Sequence, residues 1–226
     1  MISRLSLFAL AVICAASIAV AQEVNIGSTP VKLTAPQRQC QFSNDKGDEA
    51  LVVGRFRELI ARSNQLLAVY ADCDELAQFR LGKLVTFDSY AEYFFPIKAL
   101  NMAIPADAIT KMCAVMRSKN DDDLAAIVRN SAPDIDRLFS GVKINEIKFL
   151  GVLAEEPTVC YSGQLSKITS ASGEEKAQIS VLAMILLKGN IMAYQQFAPY
   201  RSGDTILNLL GKNRANVAAL IAANGK

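Results

Sequence analysis

The chain has 226 residues, 51% of them apolar, with 24 Lys+Arg against 22 Asp+Glu, five Cys, and neither His nor Trp. High apolar content and small net charge exclude a disordered chain, and a net charge of +2 offers no electrostatic footprint for nucleic acid. Without His there is no Ser-His-Asp or Cys-His catalysis and no metal site that needs an imidazole.

Met1 to Ala21 reads as a secretory signal peptide: Arg4 supplies the basic start, Leu5 to Val20 is apolar apart from two Ser, and Ala19-Val20-Ala21 fits a small-x-small cleavage site. Cys14 follows Ile13, which does not suit a lipobox, and Ile179–Leu187 is too short for a membrane span and stops at Lys188. The organisation expected is a signal peptide at 1–21, a loose polar leader at 22–30 and a single α+β domain over 31–226. The mature chain is expected to be periplasmic or secreted, with no stable membrane span.

Val31–Phe42 alternates and holds a Pro, as an edge or irregular strand pair does. Asp48–Arg62 is a predicted helix, with Val52, Phe56, Leu59 and Ile60 on one stripe and acids at its start. Gln65–Ala71 is a continuous apolar run, the pattern of a strand buried on both faces. Asp72–Arg80 suits one or two helical turns. Lys83–Phe95, rich in β-branched and aromatic residues, reads as another strand. Helices follow at Pro105–Ser118, Asp121–Asn130 and Pro133–Ser140. The period then becomes extended: Ile144–Ala154, Thr158–Thr169 and Gln178–Leu187 are predicted strands. Lys188-Gly189-Asn190 is a turn, and Ile191–Phe197 returns as a hairpin partner. Asp204–Leu210 and Asn213–Ala223 are helical, with a break expected at Gly211. Strands with helices on either side, and an antiparallel run in the second half, give an α+β fold: an antiparallel sheet flanked by helices, an α/β/α sandwich.

The segments FLGVLAEEPTVCYSGQLSKI, AQISVLAMILLKGNIMAYQQFAPY and the final VAALIAAN resemble the PsbP/DcrB-like α/β/α sandwich, in which two long central strands meet at a tight turn and a terminal helix follows. The stretch QLLAVYADCDEL is similar to a group of uncharacterised exported bacterial proteins. The resemblance implies a binding or assembly role. It implies no catalytic residue, because the fold family shares none.

After loss of Cys14, Cys40, Cys73, Cys113 and Cys160 remain, an even number in an oxidising compartment. Three pairings are possible; Cys40–Cys73 and Cys113–Cys160 are favoured. Either bridge would contribute roughly 3–4 kcal/mol in the chain-entropy model. No C-x-x-C supports a redox pair.

Asp72, Asp74 and Glu75 flank Cys73 at the end of a buried strand, where ligands and catalysts collect. Paired carboxylates there could move protons or hold a cation; a capped loop over a disulfide is the plainer reading. Asp121-Asp122-Asp123 lacks the spacing of a calcium loop and reads as helix capping. Glu155-Glu156 and Glu174-Glu175 read as surface turns. Ser118-Lys119 offers a formal Ser/Lys couple, though neighbours in sequence need not converge. Tyr90, Tyr93, Phe94 and Phe95 before Pro96 could line a ligand groove or partner surface, or simply pack a core. Met102, Met112, Met116, Met184 and Met192 are too scattered for copper handling.

The function expected is exported, non-catalytic binding or assembly through a sheet face or the aromatic groove, with an envelope protein or a small apolar ligand as partner. The alternative is a carboxylate- or Ser/Lys-dependent hydrolase of the cell envelope. No cofactor and no metal are expected.

Overall fold

Two long hairpins joined edge to edge set the frame of the protein. In this computed structural model, which describes residues 22–45, 47–84, 86–118, 132–139, 142–170 and 172–225, strand β6 (Lys143–Glu156) pairs with β7 (Val159–Thr169), β7 with β8 (Glu175–Leu187), and β8 with β9 (Asn190–Pro199). The expected signal peptide, the helix at 121–130 with its three Asp, and Lys119 of the Ser/Lys couple lie outside the described residues. Lys188 (φ 49°) and Gly189 (φ 75°) both take the left-handed backbone that a two-residue type I′ hairpin requires. That turn matches the right-handed twist of β8 and β9, so the two strands stay in register from Leu187–Asn190 to Gln178–Pro199.

The first half adds three strands to this frame. In chain order come a separate hairpin of β1 (Gln22–Ile26) and β2 (Thr29–Leu33), then β3 (Gln39–Gln41), α1 (Gly47–Ile60), β4 (Asn64–Asp72), α2 (Cys73–Arg80), β5 (Tyr90–Pro96), α3 (Ala108–Ser118) and α4 (Ala132–Leu138). A final helix, α5 (Gly203–Asn224), follows β9. The main sheet has the order β3-β4-β5-β9-β8-β7-β6, antiparallel throughout. The outermost strand β6 carries three register shifts, which twist an edge away from further pairing.

Strand alternation divides the sheet side chains between two layers. One face carries Ala68, Tyr70, Tyr93, Phe95, Tyr161, Val181, Ile185, Met192 and Tyr194, covered by Leu209, Val217 and Leu220 of α5 and by Ile26, Val31 and Leu33 of the β1–β2 hairpin. On the other face α1 and α2 bury Val53 and Leu76 against Leu66, Val69 and Ala71 of β4. There α3 packs Ile109 and Cys113 onto Cys160 of β7. The result is the antiparallel sheet between helical layers that the residue pattern predicts.

Three segments differ from expectation. Residues 22–30, read as a loose leader, form β1 and the start of β2, because Ile26, Val31 and Leu33 find apolar partners that are remote in sequence. The strand expected over 83–95 begins only at Tyr90. Gly82 (φ 68°) turns the chain after α2, and the Glu75 carboxylate takes the backbone N–H groups of Asp88 and Ser89 before they can join a ladder. Helix α5 runs unbroken through Gly211, which stands in open space on the helix surface. A mid-helix Gly costs about 1 kcal/mol against Ala. Four buried anchors at Leu209, Asn213, Val217 and Leu220 outweigh that cost.

Of the three disulfide pairings, the structure forms Cys40–Cys73 (Cα–Cα 4.9 Å) and Cys113–Cys160 (5.7 Å). The register explains the first. Cys40 lies opposite Ala71 on β4, two residues before Cys73. No helix among the described residues is long and apolar enough to cross a membrane.

The two sides of α5 should respond differently to truncation. Leu220, 0% exposed, should lose about 2–5 kcal/mol of unfolding free energy as Leu220→Ala. Leu207, 68% exposed, should change by less than about 0.5 kcal/mol as Leu207→Ala. Urea denaturation of the two variants checks this.

Candidate functional site

The end of β4, the start of β5 and the end of β9 converge at one end of the sheet, because β5 runs antiparallel to both neighbours. Short backbone contacts tie the corner together: Asp72 N donates to Ser89 O (3.0 Å) and Cys73 N to Arg38 O (3.1 Å). The Cys40–Cys73 bridge staples the same corner. The first half of α5 crosses above it. Two adjoining open clefts lie between helix and sheet end. One, of about 410 Å³, is lined by Arg38, Gln39, Asp72, Gln196, Lys212 and Asn216 among others. The second, of about 360 Å³, is lined by Glu75, Asp88, Arg201, Thr205 and Asn208 among others. Ser89, Ala198, Leu209 and Lys212 border both.

The acids here are engaged in holding the fold. Asp72 Oδ1 accepts the N–H groups of Asp74 (2.9 Å) and Glu75 (3.4 Å), capping α2. Glu75 Oε2 accepts from Asp88 N and Ser89 N, at 3.2 and 3.3 Å. Burial raises the Glu75 carboxyl above its ordinary range, against those two hydrogen bonds. Asp88 meets Lys176 Nζ at 3.1 Å. Asp74 points to solvent, its side chain 83% exposed, with Arg38 3.8 Å away.

The cations and amides of the cleft are less occupied. Among the described residues neither Lys212 nor Arg201 has an ion-pair partner within 4.0 Å. Gln196 is 6% exposed and faces α5 from β9, opposite Ala91 and Val181. Its Oε1 is buried without a hydrogen-bond donor, as is Oε1 of Gln39. Leaving a buried acceptor unpaired costs about 1–3 kcal/mol. Beneath the cleft, Tyr93 packs on Tyr194 (centroids 4.6 Å) and on Tyr70 (5.9 Å). Asn216 Nδ2 donates to the Tyr194 hydroxyl at 2.9 Å, and Tyr93 Oη donates to Thr34 O at 3.0 Å. Burial pushes these phenols up, Tyr70 to about 12, so they stay neutral.

The aromatic run does not form the groove that one reading of the sequence allowed. Strand β5 is interior to the sheet with both faces covered, so Tyr93 and Phe95 enter one core layer and Phe94 lies buried on the other face. Tyr90 stacks on Phe197 (4.2 Å, 13°) and sits 5.6 Å from Phe56 of α1. For the same reason the central strands offer no open sheet face. Of the expected carboxylates, Asp72 borders the first cleft and Glu75 the second, while Asp74 lines neither. Glu155 and Glu156 pair with Arg117 and Arg214, each at 2.7 Å. Ser118 Oγ donates to Val115 O at the end of α3. Among the described residues no three His, Cys, Asp or Glu converge in a way that could hold a metal.

Gln196, Gln39, Lys212 and Arg201 were not singled out by their sequence context. One signal was present. Gln195-Gln196 interrupts an apolar strand, and alternation forces one of the pair into the α5 layer. On the opposite face, Glu92 lies across from Gln195 and Val69, 6% exposed, with Oε2 lacking a partner; burial pushes its carboxyl up to about 7.

No protein-family model and no curated protein matches the chain. Among solved structures it is similar to a point mutant of the protein Mog1, at 8% identity and TM-score 0.34, and to the Saccharomyces cerevisiae Ran-binding protein Mog1p, at 7% identity and TM-score 0.31. Each alignment covers 90% of this chain and 92% of the other. Values this low carry neither fold nor function across.

Glu92 sets a pH response. Below its unfolded value near 4.5 both states hold the proton, and the folded state keeps it up to about 7. Stability therefore falls as pH rises through that window, by about 3 kcal/mol in total, and is flat beyond it. Glu92→Gln should remove this dependence and unfold later than the parent at pH 8, as urea midpoints at pH 4.5, 6 and 8 would read.

Proposed function

We propose that this is an exported, non-catalytic binding protein whose ligand sits in the polar cleft between the sheet end and α5. The observation that carries the reading is the pair of adjoining clefts under α5, lined by polar side chains from α2, β4, β9 and α5, in which Lys212 and Arg201 have no ion-pair partner among the described residues. Export is supported by the apolar segment ending Ala19-Val20-Ala21 and by the two disulfides, which persist in oxidising compartments. The order of a tight hairpin followed by a terminal helix ending Ala-Asn supports kinship with the PsbP/DcrB-like sandwiches.

The hydrolase alternative has less support. The carboxylates it would use cap a helix, hold a loop or pair with Lys176.

The mature protein extracted from its own envelope should retain a small-molecule adduct in native mass spectrometry. Lys212→Glu should lose the adduct with an unchanged melting temperature. An adduct-free parent, or an adduct converted to product over hours, would reject the reading.

A further inference from the structure

We propose that the Cys40–Cys73 bridge is a redox latch on the corner of the sheet: a dithiol reductant opens it while Cys113–Cys160 stays closed, and residues 37–41 then leave β4. The latch stands whether or not the cleft beside it holds a ligand.

The two bridges differ in access. Cys113 and Cys160 are both 0% exposed, enclosed between α3 and β7. Cys40 and Cys73 are half-buried at the sheet corner, one on the edge strand β3 and the other in the first turn of α2. Thiol–disulfide exchange needs a thiolate to reach a sulfur, so the more open bridge is the reducible one. A thiolate of the dithiol attacks one sulfur, forms a mixed disulfide and expels the other as a thiolate, which takes up a proton. The second thiol of the reductant loses its proton and closes on the first, releasing the remaining protein sulfur, which is protonated in turn. The dithiol leaves as a disulfide, and its two electrons stay with the two protein thiols.

The segment under the latch is poised to move. Strand β3 has three residues and a neighbour on one side only. Firm anchors flank it. Thr34 O accepts from Tyr93 Oη at 3.0 Å, and Phe42, 2% exposed, donates its N–H to Val69 O at 3.0 Å and packs on Phe87. Between these anchors sit two unfavourable features. Arg38 holds φ 61°, a left-handed backbone that crowds its Cβ. Gln39 Oε1 is buried with no donor. The staple holds both in place. Once it is cut, Arg38 regains an extended backbone and the Gln39 amide reaches water, against the loss of a short ladder to β4. Gln37, Arg38 and Gln39 line the first cleft, so their departure removes part of its wall.

The oxidised mature protein is exposed to graded dithiothreitol without denaturant, alkylated with iodoacetamide and mapped by peptide mass spectrometry. Cys40 and Cys73 should be labelled at least about tenfold faster than Cys113 and Cys160. In protein reduced at this bridge alone, amide hydrogen exchange at residues 37–41 should quicken by at least about tenfold and stay unchanged in β8 and β9. The double variant Cys40→Ser, Cys73→Ser, measured without reductant, should show the same local rise. The inference is overturned if both bridges are reduced together, if Cys113–Cys160 goes first, or if exchange at 37–41 in the reduced protein and the double variant matches that of the oxidised parent.

Discussion

The seating of α5 on the sheet is the interaction on which the other features depend. Its buried residues Leu209, Asn213, Val217, Leu220 and Asn224 recur every three or four positions, and two of the five are Asn. Asn213 Nδ2 donates to Val181 O in β8 at 3.0 Å. Asn224 accepts from Lys32 N at 2.9 Å and donates to Lys32 O at 2.8 Å, so its amide pairs with β2 as a strand neighbour would. A helix normally contributes only apolar contact to a sheet. Here it also satisfies backbone groups of two different strands, which defines its position along the sheet as well as its distance from it.

That position has two consequences. At its C-terminal end α5 captures the β1–β2 hairpin, which has no ladder to the main sheet and depends on Ile26, Val31, Leu33 and the Asn224 clamp. Nearer its N-terminus it passes over the sheet corner, where Lys212 and Asn216 line the cleft and Asn216 donates to Tyr194 of β9. The corner below is held by the Cys40–Cys73 bridge and by Glu75, which accepts two N–H groups from the loop before β5. The cleft therefore lies between two well-anchored walls, which favours a preorganised site.

Much of the architecture was legible in local pattern. Period-two alternation marked β6 to β9, Lys188-Gly189 marked their turn, and helical stripes marked α1 and α3. What the pattern missed has a common cause. Residues 22–30 look polar and loose, but Ile26 enters the core with Val31 and Leu33, and Asn224 of α5 holds the hairpin at Lys32 from 192 residues away. The strand expected from Lys83 starts only at Tyr90, after a turn at Gly82 and a carboxylate of α2 that takes the N–H groups of Asp88 and Ser89. Gly211 invited a helix break, yet long-range burial of its neighbours kept the helix whole. The aromatic run at Tyr90–Phe95 carries composition but no depth: the same residues line a groove on an edge strand and vanish into core layers on an interior one.

The sequence by itself determined the class of the fold, the near-neutral charge, the lack of imidazole chemistry and an even set of cysteines, because these follow from composition and from contacts a few residues apart. Only the tertiary structure decided which cysteines bond, which face each aromatic takes and where a polar cleft opens. Arg38, Asp72, Gln196 and Lys212 are dispersed along the chain, and sheet order together with the seating of α5 makes them neighbours. A site assembled from such distant segments leaves no local period or spacing, and it exists only once the antiparallel strands and α5 have closed around it.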